Sequence, residues 1–205
     1  GNGLYGGAMV RSDKRLERPD IPLNISAWST NDHTRKGIVS HPFPGFAISP
    51  VHLRPEGRGT VRLRSPDPFA PPEIRFNFLR SEYDMQAMIA GMRIARQIAR
   101  QHALQKLLVA ETLPGSSIIS DEQLADDVRK RGVSNLHPVG SCGMGHGPNA
   151  VVDPRLRVHG IGGLRVVDAS IMPSIIAGNT NAPTIMIAEK ASDMILQDAG
   201  AAGMT

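Results

Sequence analysis

The sequence is poor in cysteine and contains no long hydrophobic run. Its single cysteine, Cys142, excludes an internal disulfide but does not define a cellular compartment. No stretch approaches the roughly 18 consecutive apolar residues of a transmembrane helix, so no integral membrane segment is expected. The histidines lack the spacing to cysteine or carboxylate residues that a zinc site requires. We therefore expect no disulfide, no membrane span and no metal site.

Aromatic residues are also scarce, at 4% of the 205 residues, and the net formal charge is only +4. Basic residues are scattered among acidic residues and prolines, except for two short patches at 93–100 and 129–131. Nucleic-acid binding favours a clustered basic stripe with stacking aromatic side chains. No nucleic-acid partner is therefore expected. Hydrophobic residues make up 40% of the chain, which is enough to form a buried core.

The first half of the sequence favours strands that are joined by turns rich in proline and glycine. Residues 1–20 are interpreted as an extended segment or a loop, and residues 29–44 as a loop. Alternation of apolar and polar residues predicts strands, which lie at 21–28, 46–53, 60–64 and 73–78. Strands connected in this way form an antiparallel sheet with one solvated face.

Two helices are predicted after these strands from their starting residues. Ser81 and Asp84 have the spacing of a capping box, and the following apolar stripe predicts a helix of about 18 to 22 residues. Ser120 and Gln123 form a second capping box, which begins a shorter helix that ends near Gly132.

His137 is the first candidate for a functional side chain. Pro138 disfavours the α conformation at His137, and the glycines at 140, 143 and 145 disfavour a helix after it. An irregular backbone often carries catalytic residues. Read alone, a histidine before proline more often has a structural or surface role.

Asn181 and Asp168 are the next candidates. Asn181 begins a strong helix pattern with Pro183 in its first turn, so it is interpreted as the N-cap. The N-terminus of a helix presents free N–H groups and a partial positive charge, which suits an anionic group. Asp168 follows a short apolar stretch, where it either binds a ligand or caps the following turn.

The last third of the chain, in which these residues lie, resembles the C-terminal signature of the glucose–methanol–choline (GMC) family of FAD-dependent alcohol oxidoreductases. The residues that carry the resemblance are Asn135–Gly145, Ala150–Asp153, Leu156–Gly160, Gly163–Pro173 and Gly178–Lys190. The resemblance implies that His137 is the general base and Asn181 its catalytic partner. It also implies a set of cofactor-binding positions, which are Asn135, Leu136, Asp168, Ala169, Asn181, Ala182, Pro183 and Thr184.

The resemblance further implies a mixed α+β and α/β fold, in which an antiparallel substrate-binding sheet with helices accompanies the C-terminal part of a Rossmann-like FAD-binding domain. Residues 1–115 would form part of the substrate-binding domain, and residues 116–134 would form a connecting helical region. Residues 135–205 would complete the FAD-binding domain and the active site. The expected reaction oxidises a small-molecule alcohol to an aldehyde or ketone, with proton abstraction and hydride transfer to flavin N5.

The chain lacks one motif that such an enzyme needs. No Gly-x-Gly-x-x-Gly fingerprint follows a strand, although this motif holds the FAD pyrophosphate. We therefore interpret the chain as the C-terminal piece of a longer polypeptide, whose N-terminal FAD-binding portion would be its partner. Two positions depart from the family pattern. Leu136 stands where an aromatic residue is often found, and Gly143 where a basic residue is frequent.

Two alternatives remain open at this stage. A GMC-like lyase would use the same fold and FAD without net redox chemistry. A non-enzymatic α+β interaction module would need no flavin.

Overall fold

The computed structural model describes residues 4–30 and 39–202, and these form two compact units. The first unit contains Gly1–Gly59 and Phe76–Asn135, and the second contains Thr60–Arg75 and Leu136–Thr205. The loop predicted over 29–44 includes residues 31–38, which lie outside the described residues.

An antiparallel sheet of three strands lies in the first unit. Strands β1 (Leu4–Val10), β2 (Ile21–Ser26) and β3 (Ala47–Pro50) are arranged in the order β1-β2-β3. The strand β2 agrees with the predicted alternation, and its residues Ile21 and Leu23 are fully buried. The strand β1 is a finding that the sequence did not predict, because the region was interpreted as an extended segment or a loop.

Helix α1 (Glu82–Ala99) packs against β2 and β3 through a close backbone approach. A Cβ atom at Gly91 would lie 2.7 Å from the Cβ atom of Pro50, so only glycine allows this separation. The other face of α1 packs on α3 (Asp121–Arg131). The core between these two helices consists of Met85, Ile89, Leu124, Ala125 and Val128. A four-residue helix, α2 (His102–Gln105), lies between them in the chain.

The two predicted capping boxes have different outcomes. Ser120 and Gln123 form the complete reciprocal box, and α3 ends before Gly132 as expected. Ser81 is the N-cap of α1, but its side chain makes no capping bond, so this predicted capping box was wrong. The reason is that Asp84 points into the protein interior, where its carboxylate accepts hydrogen bonds from the Glu56 and Gly57 backbone N–H groups at 2.8 and 3.0 Å.

A second buried carboxylate, Asp20, joins β2 to the start of α1. It is fully buried and accepts hydrogen bonds from the Ser12 backbone N–H, the Ser12 hydroxyl and the Tyr83 hydroxyl. Burial of the phenol, followed by the negative charge of Asp20 and their hydrogen bond, raises the pKa of Tyr83 to about 12. The neutral phenol is therefore the form that the folded protein stabilises.

This shift predicts a loss of stability in alkali. In the unfolded chain Tyr83 ionises near its ordinary pKa of 10, whereas in the folded chain it stays neutral up to about 12. Its contribution to the free energy of unfolding should be complete below pH 10 and should decline between pH 10 and 12. Comparing the thermal midpoints of the parent and Tyr83→Phe across this interval measures the effect. The stability of the parent should fall more steeply, and parallel curves would contradict the prediction.

Among the residues of the second unit that the structure describes, there is one hairpin and little other regular sheet. Strands β4 (Thr60–Arg62) and β5 (Glu73–Arg75) pair in antiparallel register, with Val61 opposite Ile74. In the described residues that follow His137, strand pairing consists of isolated bridges, two of which join Val152 to Val158 and Arg157 to Arg165. A 3₁₀ turn (Ala169–Ile171) and helix α4 (Asn181–Ala202) complete the unit.

A single apolar cluster holds these irregular segments together. Its buried members are Val152, Leu156, Ile171, Met172, Ile187 and Ala191. The last two belong to α4, so this cluster fixes the helix against the segments that precede it. In the described part of the chain, no helix is long and apolar enough to cross a membrane.

Candidate active site

The backbone around His137 is irregular, as the Pro138 argument predicted. Residues 132–143 contain neither helix nor strand. Leu136 has a φ of 60°, a left-handed conformation that is rare for a branched side chain and costs about 1 kcal/mol or more. The surrounding contacts must therefore hold this part of the chain in place.

Backbone hydrogen bonds and apolar side chains supply those contacts. The Cys142 and Met144 N–H groups donate to the Ser170 and Ile171 carbonyl oxygens, at 3.0 and 2.8 Å. The side chains of Met144 and Val139 pack on the apolar cluster of the second unit. The segment 137–145 is therefore fastened to the 3₁₀ turn.

Gly140 is required at the point where this segment bends. Its φ is 86°, and a Cβ atom added there would lie 3.2 Å from the Met172 carbonyl oxygen. Both the backbone conformation and the close contact favour glycine.

The half-buried His137 ring is held by a residue at the start of α4. His137 Nδ1 lies 3.1 Å from Thr180 Oγ1, within hydrogen-bond distance. This contact brings the candidate base to the residue that precedes Asn181. Sequence reasoning did not single out Thr180, although threonine is a common N-cap residue.

The first residue of α4 is Asn181, and the cap lies one position earlier than predicted. The Thr180 carbonyl oxygen accepts the first helical hydrogen bond, from the Thr184 N–H at 3.0 Å, so Thr180 occupies the N-cap position. Asn181 and Ala182 are exposed, while Pro183 and Thr184 are half-buried. In helix geometry the Asn181 and Ala182 N–H groups have no acceptor within the helix, whereas Pro183 has no N–H group.

Asp168 is exposed and caps the 3₁₀ turn. The Ser170 N–H and hydroxyl both donate hydrogen bonds to its Oδ1 atom. Ala169 is half-buried and packs on the apolar cluster. Asp168 therefore has the capping role that was one of its two interpretations from the sequence. The capping hydrogen bonds use only one of its two carboxylate oxygens, Oδ1.

The remaining predicted positions directly precede His137 in the chain. Asn135 and Leu136 are exposed, and the boundary between the two units falls between them. In the described residues, no group of three or more histidine, cysteine, aspartate or glutamate side chains could hold a metal ion. The second unit thus brings together His137, Thr180 and the start of α4, with Asp168 on the turn that anchors the His137 segment.

Comparison with known proteins gives consistent matches over almost the whole chain. The family described as GMC oxidoreductase matches residues 55–188. An alcohol dehydrogenase [acceptor] of Pseudomonas putida is 40% identical over 196 residues, which cover 96% of this chain and 35% of the relative. An oxygen-dependent choline dehydrogenase of Proteus mirabilis is 42% identical over 194 residues, which cover 95% of this chain and 34% of the relative. The chain therefore spans about a third of the length of these relatives.

Solved structures give a similar result. The pyridoxine 4-oxidase from Mesorbium loti superposes with a TM-score of 0.81 at 26% identity, covering 93% of this chain and 37% of that protein. A fungal aryl-alcohol oxidase superposes with a TM-score of 0.69 at 32% identity, covering 90% of this chain and 28% of the oxidase.

Proposed function

The chain belongs to the GMC oxidoreductase family, and on this basis we propose that the protein is an FAD-dependent oxidoreductase that oxidises an alcohol to an aldehyde or ketone. The observation that carries this proposal is the contact between His137 Nδ1 and Thr180 Oγ1. It places a histidine with one occupied ring nitrogen beside the exposed N-terminus of α4. A half-buried base next to an anion-binding helix end suits an alcohol oxidation that releases a proton and leaves negative charge on a cofactor.

His137 would act as the general base. With Nδ1 engaged by Thr180, Nε2 is the ring atom that can accept the hydroxyl proton of the alcohol. Asn181 would donate a hydrogen bond from its side-chain amide to the alcohol oxygen and so orient the substrate. FAD, when bound, would supply the redox chemistry by accepting the hydride from the alcohol carbon.

The residues at the start of α4 fit the flavin that the family implies. The Asn181 and Ala182 N–H groups have no helical acceptor, and both residues are exposed. The positive end of the helix dipole adds to these donors, so the site favours an anionic ring. Pro183 and Thr184 would shape the same helix end, and Leu136 and Asn135 would approach the cofactor from the chain before His137.

Asp168 and Ala169 would contact FAD near its ribityl–pyrophosphate portion. Because Ser170 occupies Oδ1 of Asp168, a cofactor hydroxyl or a water molecule would be bound through Oδ2. This carboxylate would recognise hydroxyl donors rather than phosphate, since two anions repel each other. A capping role and a binding role are thus compatible in one side chain.

The rest of the polypeptide would complete the cofactor site. Helix α4 exposes several large apolar side chains, which are Ile185, Met186, Ile195 and Leu196. Contacts with another protein are one of the functions for which proteins keep apolar surface exposed. We assign these side chains to an interface with the N-terminal FAD-binding portion.

The proposed division into domains follows the chain order. Residues 1–115 would contribute to the substrate-binding domain, residues 116–134 would form the connecting helical region, and residues 135–205 would complete the FAD-binding domain.

The test is a visible spectrum of the whole protein that carries this chain, recorded before and after anaerobic addition of alcohols. Choline, benzyl alcohol and a medium-chain primary alcohol sample the chemistry of the relatives. The expected result is an oxidised flavin spectrum that bleaches with at least one alcohol class. A flavin that no alcohol reduces would favour a lyase. A colourless protein of full length, confirmed by mass spectrometry, would contradict the proposal.

A further inference from the structure

The hydroxyl group of Thr180 makes a contact that its place in the helix would not by itself predict. At an N-cap, the side-chain oxygen ordinarily accepts a hydrogen bond from the N–H group of the second or third helical residue. Here the third residue is Pro183, which has no N–H group, so only the second residue, Ala182, keeps a donor of this kind. The Thr180 oxygen instead lies 3.1 Å from His137 Nδ1.

The backbone of Thr180, which carries this hydroxyl oxygen, is fixed by helix α4. The Thr180 carbonyl oxygen accepts hydrogen bonds from both the Thr184 N–H and the Thr184 hydroxyl, at 3.0 and 2.6 Å. Further along α4, Ile187 and Ala191 are buried in the apolar cluster of the second unit. The Thr180 hydroxyl oxygen is therefore carried by a rigid helix, and a residue that supports a catalytic group requires such rigidity.

We propose that Thr180 is the positioning residue of His137, accepting a hydrogen bond from Nδ1–H and so fixing the tautomer in which Nε2 carries the lone pair. The inference rests on the proposed function, in which Nε2 takes the alcohol proton. A histidine base needs one nitrogen free of its proton, and the partner of the other nitrogen selects which one that is. Thr180 supplies this partner without carrying a charge.

The first experiment compares Thr180→Val with Thr180→Ser in the whole flavoprotein. Valine keeps the shape of threonine but removes the acceptor oxygen, whereas serine keeps the oxygen. Loss of one orienting hydrogen bond should lower kcat by about 10-fold in Thr180→Val, with KM little changed. Thr180→Ser should stay close to the parent. If Thr180→Val does not fold, Thr180→Ala removes the same oxygen with a smaller side chain.

A double-mutant cycle tests whether Thr180 acts through His137. Thr180→Val should have no further effect on kcat once His137 is replaced by glutamine, because the imidazole that it positions is gone. An equal loss of activity in both backgrounds would overturn the inference and leave Thr180 with a structural role only.

A third measurement does not depend on activity. In protein labelled with ¹⁵N-histidine, His137 should show a protonated Nδ1 and an unprotonated Nε2, and Thr180→Val should shift the ring towards a mixture of tautomers. His137→Gln assigns the signals. A parent ring protonated at Nε2 would overturn the inference.

These outcomes separate the inference from the function on which it rests. If His137→Gln turns over normally, the proposed mechanism fails whatever Thr180 does. If His137→Gln is impaired while Thr180→Val matches the parent in kcat and in tautomer, the mechanism stands and the inference about Thr180 fails.

Discussion

Replacing His137 with alanine is expected to lower kcat by about 10² to 10⁴ while FAD stays bound. The change removes the ring that would accept the alcohol proton. It leaves the segment in place, because the contacts that hold it belong to the Cys142 and Met144 backbone and to the Val139 side chain. The measurement is steady-state turnover with the best alcohol of the panel, together with the flavin absorbance of the purified variant.

The sequence offers a matched control for this variant. His146 is an exposed histidine close to His137 in the chain. His146→Ala should therefore retain the turnover and the flavin content of the parent. Partial recovery of the His137→Ala variant by added imidazole would support a role in proton transfer. Near-normal turnover of His137→Ala would remove this residue from the mechanism, and loss of FAD would point to a structural role instead.

Rules based on neighbouring residues predicted those structural elements whose stabilising contacts lie close in sequence. The Ser120 box depends on a residue three positions away, and the structure contains it complete. Ser81 and Asp84 have the same spacing, but the Asp84 carboxylate accepts hydrogen bonds from the Glu56 and Gly57 N–H groups, which lie far away in sequence. A buried carboxylate gains more from several N–H donors than from capping an exposed helix end. The spacing was the same in both cases, but the third position is Gln123 in one and the shorter Asp84 in the other, and Asp84 also has the long-range contacts.

Strand β1 shows a related limit. Its sequence, with Gly6 and Gly7 inside, has the composition of a loop. Pairing with β2 nevertheless makes it a strand, and at Gly7 a Cβ atom would lie 3.0 Å from the Leu23 carbonyl oxygen. Glycine here allows two backbones to approach closely, which a propensity argument cannot anticipate.

In the candidate site, sequence reasoning singled out residues with distinctive sequence surroundings, but it did not single out the residue that contacts His137. His137 stood out because Pro138 follows it, and Asn181 because a helix pattern begins there. Thr180 escaped notice because its role depends on a contact with a residue that the fold, and not the sequence order, brings near. The one local signal was Pro183, which removes one of the two ordinary partners of an N-cap side chain three residues earlier.

Replacing Asn181 with aspartate is expected to lower kcat/KM by about 10² to 10³ without loss of folding stability. Aspartate has nearly the same shape as asparagine but lacks the amide donor that would hydrogen-bond the alcohol oxygen, and removal of one such donor costs about this much. In the first turn of α4, a carboxylate interacts favourably with the helix dipole, so the thermal midpoint should be equal or higher.

This pair of readouts separates the two roles open to Asn181. A residue that serves only the helix end would tolerate aspartate, and Asn181→Asp would then keep the activity of the parent. A residue that donates to substrate would lose activity despite the gain in helix stability. Asn181→His supplies the matched control, because histidine restores an N–H donor at this position and should recover part of the lost kcat/KM. Failure of histidine to exceed aspartate in activity would contradict the assignment of Asn181 as the donor to the alcohol oxygen.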